Sequence, residues 1–173
     1  MKARASFQLE YEHLCHLRDR LEVMTATVHE QARDDEDVKL LISIPGFGPM
    51  VASTFHHHVG DGSGFNRGRD VSSSLGIVPG QHSSGGKDTL LGISKRGDKQ
   101  LRTLLIHGAR AVLRTVGDKE DKLSTWLRGL IERRGFNKAA VAYANKMARM
   151  GWAVLRTRTP YKADYKPAPC QAS

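Results

Sequence analysis

VKLLISIPGFGPMVASTF, residues 38–55, decides how the chain is organised. Val38, Leu41 and Ile42 recur at the spacing of a short amphipathic helix, and Pro45-Gly46-Phe47-Gly48 breaks it. Pro49 then suits the first turn of a second helix, where its missing N–H is no loss. The stretch predicts a helix-hairpin-helix. In that motif Gly46 and Gly48 let backbone N–H groups at a helix start approach a phosphate, whatever the base sequence. The plainer reading is a tight turn between packed helices.

Upstream, residues 5–33 hold no Gly or Pro, and Phe7, Leu14, Leu21 and Val28 recur every seven residues. Leu17 and Met24 fill the intervening positions, which predicts a coiled-coil helix of about four heptads. Glu10 and Gln31 spoil two seam positions, so the seam serves either a second copy or packing within the chain. An acidic link, Asp34 to Asp37, joins it to the hairpin.

Downstream, His56, His57 and His58 end the second hairpin helix. Consecutive helical residues point about 100° apart, so the three do not converge on a metal and read as surface or helix-end residues. Residues 60–64 form a loop, and residues 65–75 predict a helix with Arg67 and Arg69 near its start. Gly76 to Gly80 leads extended backbone into QHSSGGKDTLLGISKRGDKQLR, residues 81–102.

Ser83-Ser84-Gly85-Gly86 reads from composition as a flexible linker or as the carrier of a nucleophile. Gly85 and Gly86 permit close backbone approach, while Lys87, Lys95 and Arg96 can neutralise a phosphate under attack. Serine needs an activating group, and only the adjacent His82 offers itself. Asp98 predicts an N-cap for a helix to Val116, with Leu101, Leu105 and Leu113 on its apolar face. The opposite face, Lys99, Arg102, Arg110 and Arg114, reads as solvated surface or as nucleic-acid contact. Two more helices follow, around Trp126–Ile131 and from Asn137 to Leu155, the latter with Lys138, Lys146 and Arg149 outward. The proline-bearing residues 160–173 read as a disordered tail.

Lys+Arg number 27 and Asp+Glu 18, for a net charge of +9 over 173 residues. Residues 1–37 are net acidic, so the excess sits on the body and points to a polyanion. No apolar run reaches membrane-spanning length and no leader is visible, which makes the cytoplasm the expected compartment. Cys15 and Cys170 lack metal-site spacing and read as free thiols. The fold expected is mainly α. A coiled-coil arm and link span 1–37, a helix-hairpin-helix and serine-loop core 38–116, closing helices 117–159 and a tail 160–173.

SIPGFGPMVAS, FNRGRDVSSSLGIVPGQHSSGGK and GISKRGDKQLRTLLIHGARAVL, in that order, resemble the C-terminal transposase domain of serine-dependent, bridge-RNA-guided insertion-sequence transposases, the family that includes the pilin-gene invertases. The resemblance implies a serine that attacks the DNA backbone and forms a serine–phosphate link. Ser84, directly before glycine, matches it, with Ser83 as the fallback. It implies DNA, a guide RNA and a homo-oligomer as partners. It also implies a metal-binding domain, in cis or trans, whose four acidic residues hold Mg2+; nothing in this sequence matches that domain, so no cofactor is expected on this chain. Gly80 after Pro79 departs from the Arg common in the family. The leading Met1 and intact coiled coil suggest a fragmented gene or a separately translated portion. The alternative is a catalytically inactive, nucleic-acid-binding remnant.

Overall fold

Capping residues set the element order. A computed structural model describes residues 2–84, 87–117 and 119–163, with the side chains of 81–84 and 87–91 outside the described set. Within it the chain forms α1 (Lys2–Asp34), α2 (Glu36–Ile42), α3 (Pro49–Val59), α4 (Gly68–Ser74), β1 (Pro79–Ser84), β2 (Lys87–Ile93), α5 (Lys99–Arg114), α6 (Lys122–Arg134) and α7 (Phe136–Thr157). The mainly α class expected from patterning is the one observed.

Asp35 caps α2 by accepting from the N–H groups of Asp37 (2.8 Å) and Val38 (3.1 Å). Asp98 caps α5 through Leu101 N (2.9 Å), and Asp121 caps α6 through Ser124 N (3.0 Å). Each such cap stabilises its helix by roughly 1 kcal/mol. Gly135 alone separates α6 from α7.

The core is built on α7. Its Ala139, Ala140, Ala144 and Ala148 are fully or almost fully buried, and these small side chains let neighbouring helices approach closely. The ring of Phe55 lies against Gly151 and meets Phe47 edge-on, with centroids 5.2 Å apart. From α5, Leu101, Leu105 and Ala109 complete the same cluster.

Only the end of α1 joins this core. Ala32 is 2% exposed, whereas Phe7, Leu14, Leu21 and Met24 are 60 to 75% exposed. The heptad seam therefore lies in solvent, and packing within the chain does not account for it.

The serine segment is not a loop. Pro79 to Ser84 and Lys87 to Ile93 pair as an antiparallel hairpin, with Ser83 opposite Asp88 and Ser84 opposite Lys87. The pairing leaves a two-residue Gly-Gly connection, the composition that short hairpins prefer, flanked by the strand formers Thr89, Leu90 and Ile93. Gly85 and Gly86 themselves lie outside the described residues.

Residues 160–163, assigned from sequence to the tail, form a strap across the body. The N–H of Tyr161 donates to Ser43 Oγ at 2.8 Å. Residues 164–173, including Cys170, lie outside the described set; Cys15 is a half-buried free thiol. No described helix is long and apolar enough to cross a membrane.

Candidate nucleic-acid interface

The root of the hairpin is tied down by three hydrogen bonds. Ser94 N donates to Val78 O (2.9 Å), Lys95 N to Gly76 O (3.1 Å) and, from α7, Asn145 Nδ2 to Ile77 O (3.2 Å). Lys95 holds a left-handed backbone, φ +56°, which costs a non-glycine residue roughly 1 kcal/mol or more. Gly97, at φ +113°, presses so close to the carbonyl of Ser74 that a Cβ there would overlap it. This fixed turn leaves Lys95, Arg96 and, one turn on, Lys99 exposed beside the hairpin.

Arg102 does not join them. It is 9% exposed, and its guanidinium donates to Leu75 O at 2.9 Å, satisfying the carbonyl at the end of α4. Of the remaining α5 cations, Arg110 donates to Asn137 Oδ1 at 3.1 Å and Arg114 is exposed. Four cations on one predicted face thus divide between packing and surface.

Two helices, α2 and α3, flank the turn that the sequence predicts, and its two glycines differ. Gly46, φ +94°, packs into the angle between α5 and α7; a Cβ would stand 2.8 Å from Met147 Cε and close to Gly108. Tyr143 Oη donates to Pro45 O at 2.7 Å and holds the turn from beneath, and burial, chiefly, pushes its phenol well above its ordinary pKa. Gly46 is therefore occupied by the protein itself. Gly48, the N-cap of α3, has open space around its Cα and no side-chain cap. Any phosphate approach at this hairpin falls to Gly48 and the start of α3.

A second basic group gathers across α4 and α7. Gly68 rests on the backbone of Arg149, 3.2 Å from where its Cβ would be, which places exposed Arg67 and Arg69 beside exposed Arg149. Trp152 Nε1 donates to Gly62 O (3.0 Å) and Phe65 O (3.2 Å), fixing the loop that leads to them. One helical turn before Arg149, Lys146 Nζ stands 4.7 Å from the ring of Trp126.

The three histidines lie in the last turn of α3, as helix-end residues, and two of them have partners that the sequence did not announce. His56 Nδ1 lies 3.1 Å from Asp35 and Nε2 3.5 Å from Asp37, which also pairs with Arg158 at 3.0 Å. His58 faces Asp98 at 3.7 Å and Ser74 Oγ at 3.3 Å; His57 alone is exposed. Asp35 feels a burial penalty, which the Val38 N–H, the charge of His56 and the Asp37 N–H outweigh, so its carboxyl is held below its ordinary pKa. The alternation of carboxylates at 35 and 37 with histidines at 56 and 58 was the available signal, but only the fold brings them together. No group of three His, Cys, Asp or Glu among the described residues could hold a metal ion.

Residues 38–123, from within α2 to the start of α6, match the model of the Transposase IS116/IS110/IS902 family. Among curated proteins the chain is 54% identical over 131 residues to the transposase for insertion sequence element IS1111A of Coxiella burnetii, covering 76% of this chain and 36% of that protein. It is 45% identical over 158 residues to a probable family 20 transposase of Pseudomonas aeruginosa, with coverages of 87% and 47%. With the transposase for IS1328 of Yersinia enterocolitica it shares 38% over 151 residues, with coverages of 87% and 45%. The chain thus spans between about a third and a half of the length of these relatives. Its residues 38–123 are a domain of the IS116/IS110/IS902 family of transposases.

Proposed function

We propose that this chain is the DNA-binding, serine-bearing part of an insertion-sequence transposase, with Ser84 as the nucleophile and Ser83 as the fallback. The observation that carries the reading is the placing of both serines at the far end of a two-stranded hairpin, inside the family-matched span, with its root held to α4 through Ile77 N on Ser72 O and to α7 through Asn145. A hairpin end held from its root can enter a phosphodiester's surroundings while Lys95, Arg96 and Lys99 meet neighbouring phosphates. The step is a transesterification. A bond forms between Ser84 Oγ and phosphorus as one phosphorus–sugar oxygen bond breaks; the hydroxyl proton departs and the freed sugar oxygen gains one. One phosphoester replaces another, so the linkage can later be reversed onto a new strand. The acidic, magnesium-holding ligands that the resemblance implies are proposed to come from another domain, in cis or trans.

DNA is the proposed partner of the basic surface, and a guide RNA of the same surface is proposed by resemblance. The exposed seam of α1 is proposed to pair with a second copy. The test supplies, in trans, the portion of a relative that this chain does not span, together with a labelled duplex. The wild-type chain should form a covalent adduct that survives denaturation. Ser84→Ala should lose the adduct by at least about a hundredfold while DNA affinity stays within about twofold. Capture undiminished in Ser84→Ala, and lost in Ser83→Ala, would move the role to Ser83. Salt-sensitive binding with no adduct under any combination would leave a binding module without cleavage.

A further inference from the structure

Away from the serine hairpin, the outer side of α7, Thr159 and the strap border a solvent-open pocket of about 500 Å3. Met150 and Ala153 line it from α7 and Tyr161 from the strap; Arg149, Lys162 and Lys146, whose Nζ also stands over Trp126, bring positive charge to it, and no Asp or Glu is among its lining residues. The strap is anchored, since Tyr161 N is bonded to Ser43 Oγ. Arg67 and Arg69 extend the positive charge from beside Arg149.

Two features of this cavity limit what can fill it. Its cations call for an anion, and its apolar, aromatic lining calls for a flat apolar body attached to that anion. The volume lies within the roughly 300–1,000 Å3 of small-ligand sites, well above what a lone phosphate needs. Bases within a duplex are stacked and cannot enter. Strand exchange, however, necessarily leaves nucleotides unpaired.

We propose that this cavity holds one unstacked nucleotide of a nucleic acid, its base against Met150, Ala153 and Tyr161 and its phosphate among Lys146, Arg149 and Lys162. The proposal rests on the nucleic-acid reading above but not on Ser84. It gives α7 a task separate from the hairpin: retaining a displaced or terminal nucleotide while the strands are rearranged.

Fluorescence anisotropy with the full chain tests it, using a blunt duplex, the same duplex with a two-nucleotide overhang, and a free deoxynucleoside monophosphate as competitor. The overhang duplex should bind about tenfold more tightly than the blunt one, as expected from stacking and phosphate capture of one base. Ala153→Phe, which fills the cavity from its α7 wall, should erase that difference and leave blunt-duplex affinity within about twofold; Lys146→Gln/Arg149→Gln should reduce the overhang preference without altering the cavity floor. Equal binding of overhang and blunt duplexes by the wild type would overturn the proposal while leaving the nucleic-acid reading intact. A preference that survives in both variants would overturn it as well. Loss of binding to every duplex would instead sink the nucleic-acid reading. Competition by the monophosphate at the affinity of the overhang would make the site one for free nucleotides and overturn its assignment to a strand.

Discussion

Arg102 carries one of the four cations that periodicity assigns to a single face of α5, yet its charge is turned inward to the carbonyl that ends α4. Arg102→Ala should cost about 1–3 kcal/mol in urea unfolding, because Leu75 O is left buried without a partner. The same variant should leave the salt dependence of DNA binding unchanged, whereas Lys99→Ala should lower its slope by about one. Spacing along one helix could not distinguish these two residues, since the difference lies in what packs opposite. Asp35 offers a pH test. Its carboxyl is held below the ordinary value, so its contribution is fully present above about pH 4 and is lost as pH falls through the depressed folded value. Asp35→Asn should therefore destabilise the chain at pH 7, and the gap between variant and wild-type thermal midpoints should close on acidification. A gap that stayed constant down to pH 2 would show that charge at this cap is immaterial.

At the level of elements, the helices were legible because each begins or ends on a residue with a local chemical reason, such as Asp35, Asp98, Asp121, Pro49 and Gly135. The hairpin was missed because Ser83-Ser84-Gly85-Gly86 was weighed by composition as a linker. The Gly-Gly pair ahead of the strand formers Thr89, Leu90 and Ile93 carried a turn signal that was not used, while Pro79 to Ser84 has no strand-forming composition of its own. For α1 the expected helix forms, but whether its heptads faced the chain's own core could only be decided by seeing that core closed without them. Leu14→Asp with Leu21→Asp should leave the unfolding of the body within about 0.5 kcal/mol of wild type. In light-scattering measurements at matched concentration it should convert an oligomer to a monomer; a mass unaffected by the double substitution would remove α1 from assembly.

Across the whole molecule, what the sequence could not disclose is contact between distant segments. Asp37 with Arg158, Ser43 with Tyr161, and Gly46 with Gly108 and Met147 are pairings that no local pattern announces. The turn between α2 and α3 shows the result most clearly. Its sequence predicted two phosphate-facing glycines, and tertiary packing took one of them, leaving Gly48 open. The same distant pairings fix a polarity. Through Asp37 and Arg158 the polypeptide enters and leaves its body side by side at the C-terminal end of α7, whereas the hairpin root meets Asn145 nearer the other end of that helix. With about 1.5 Å of rise per residue, some 20 Å of rigid helix separates the two. A circular permutant that joins the strap to α2 and opens the body elsewhere should close without strain. A protein fused ahead of α2 or behind the strap would be carried on the side where the chain has its seams, leaving the serine strand unobstructed.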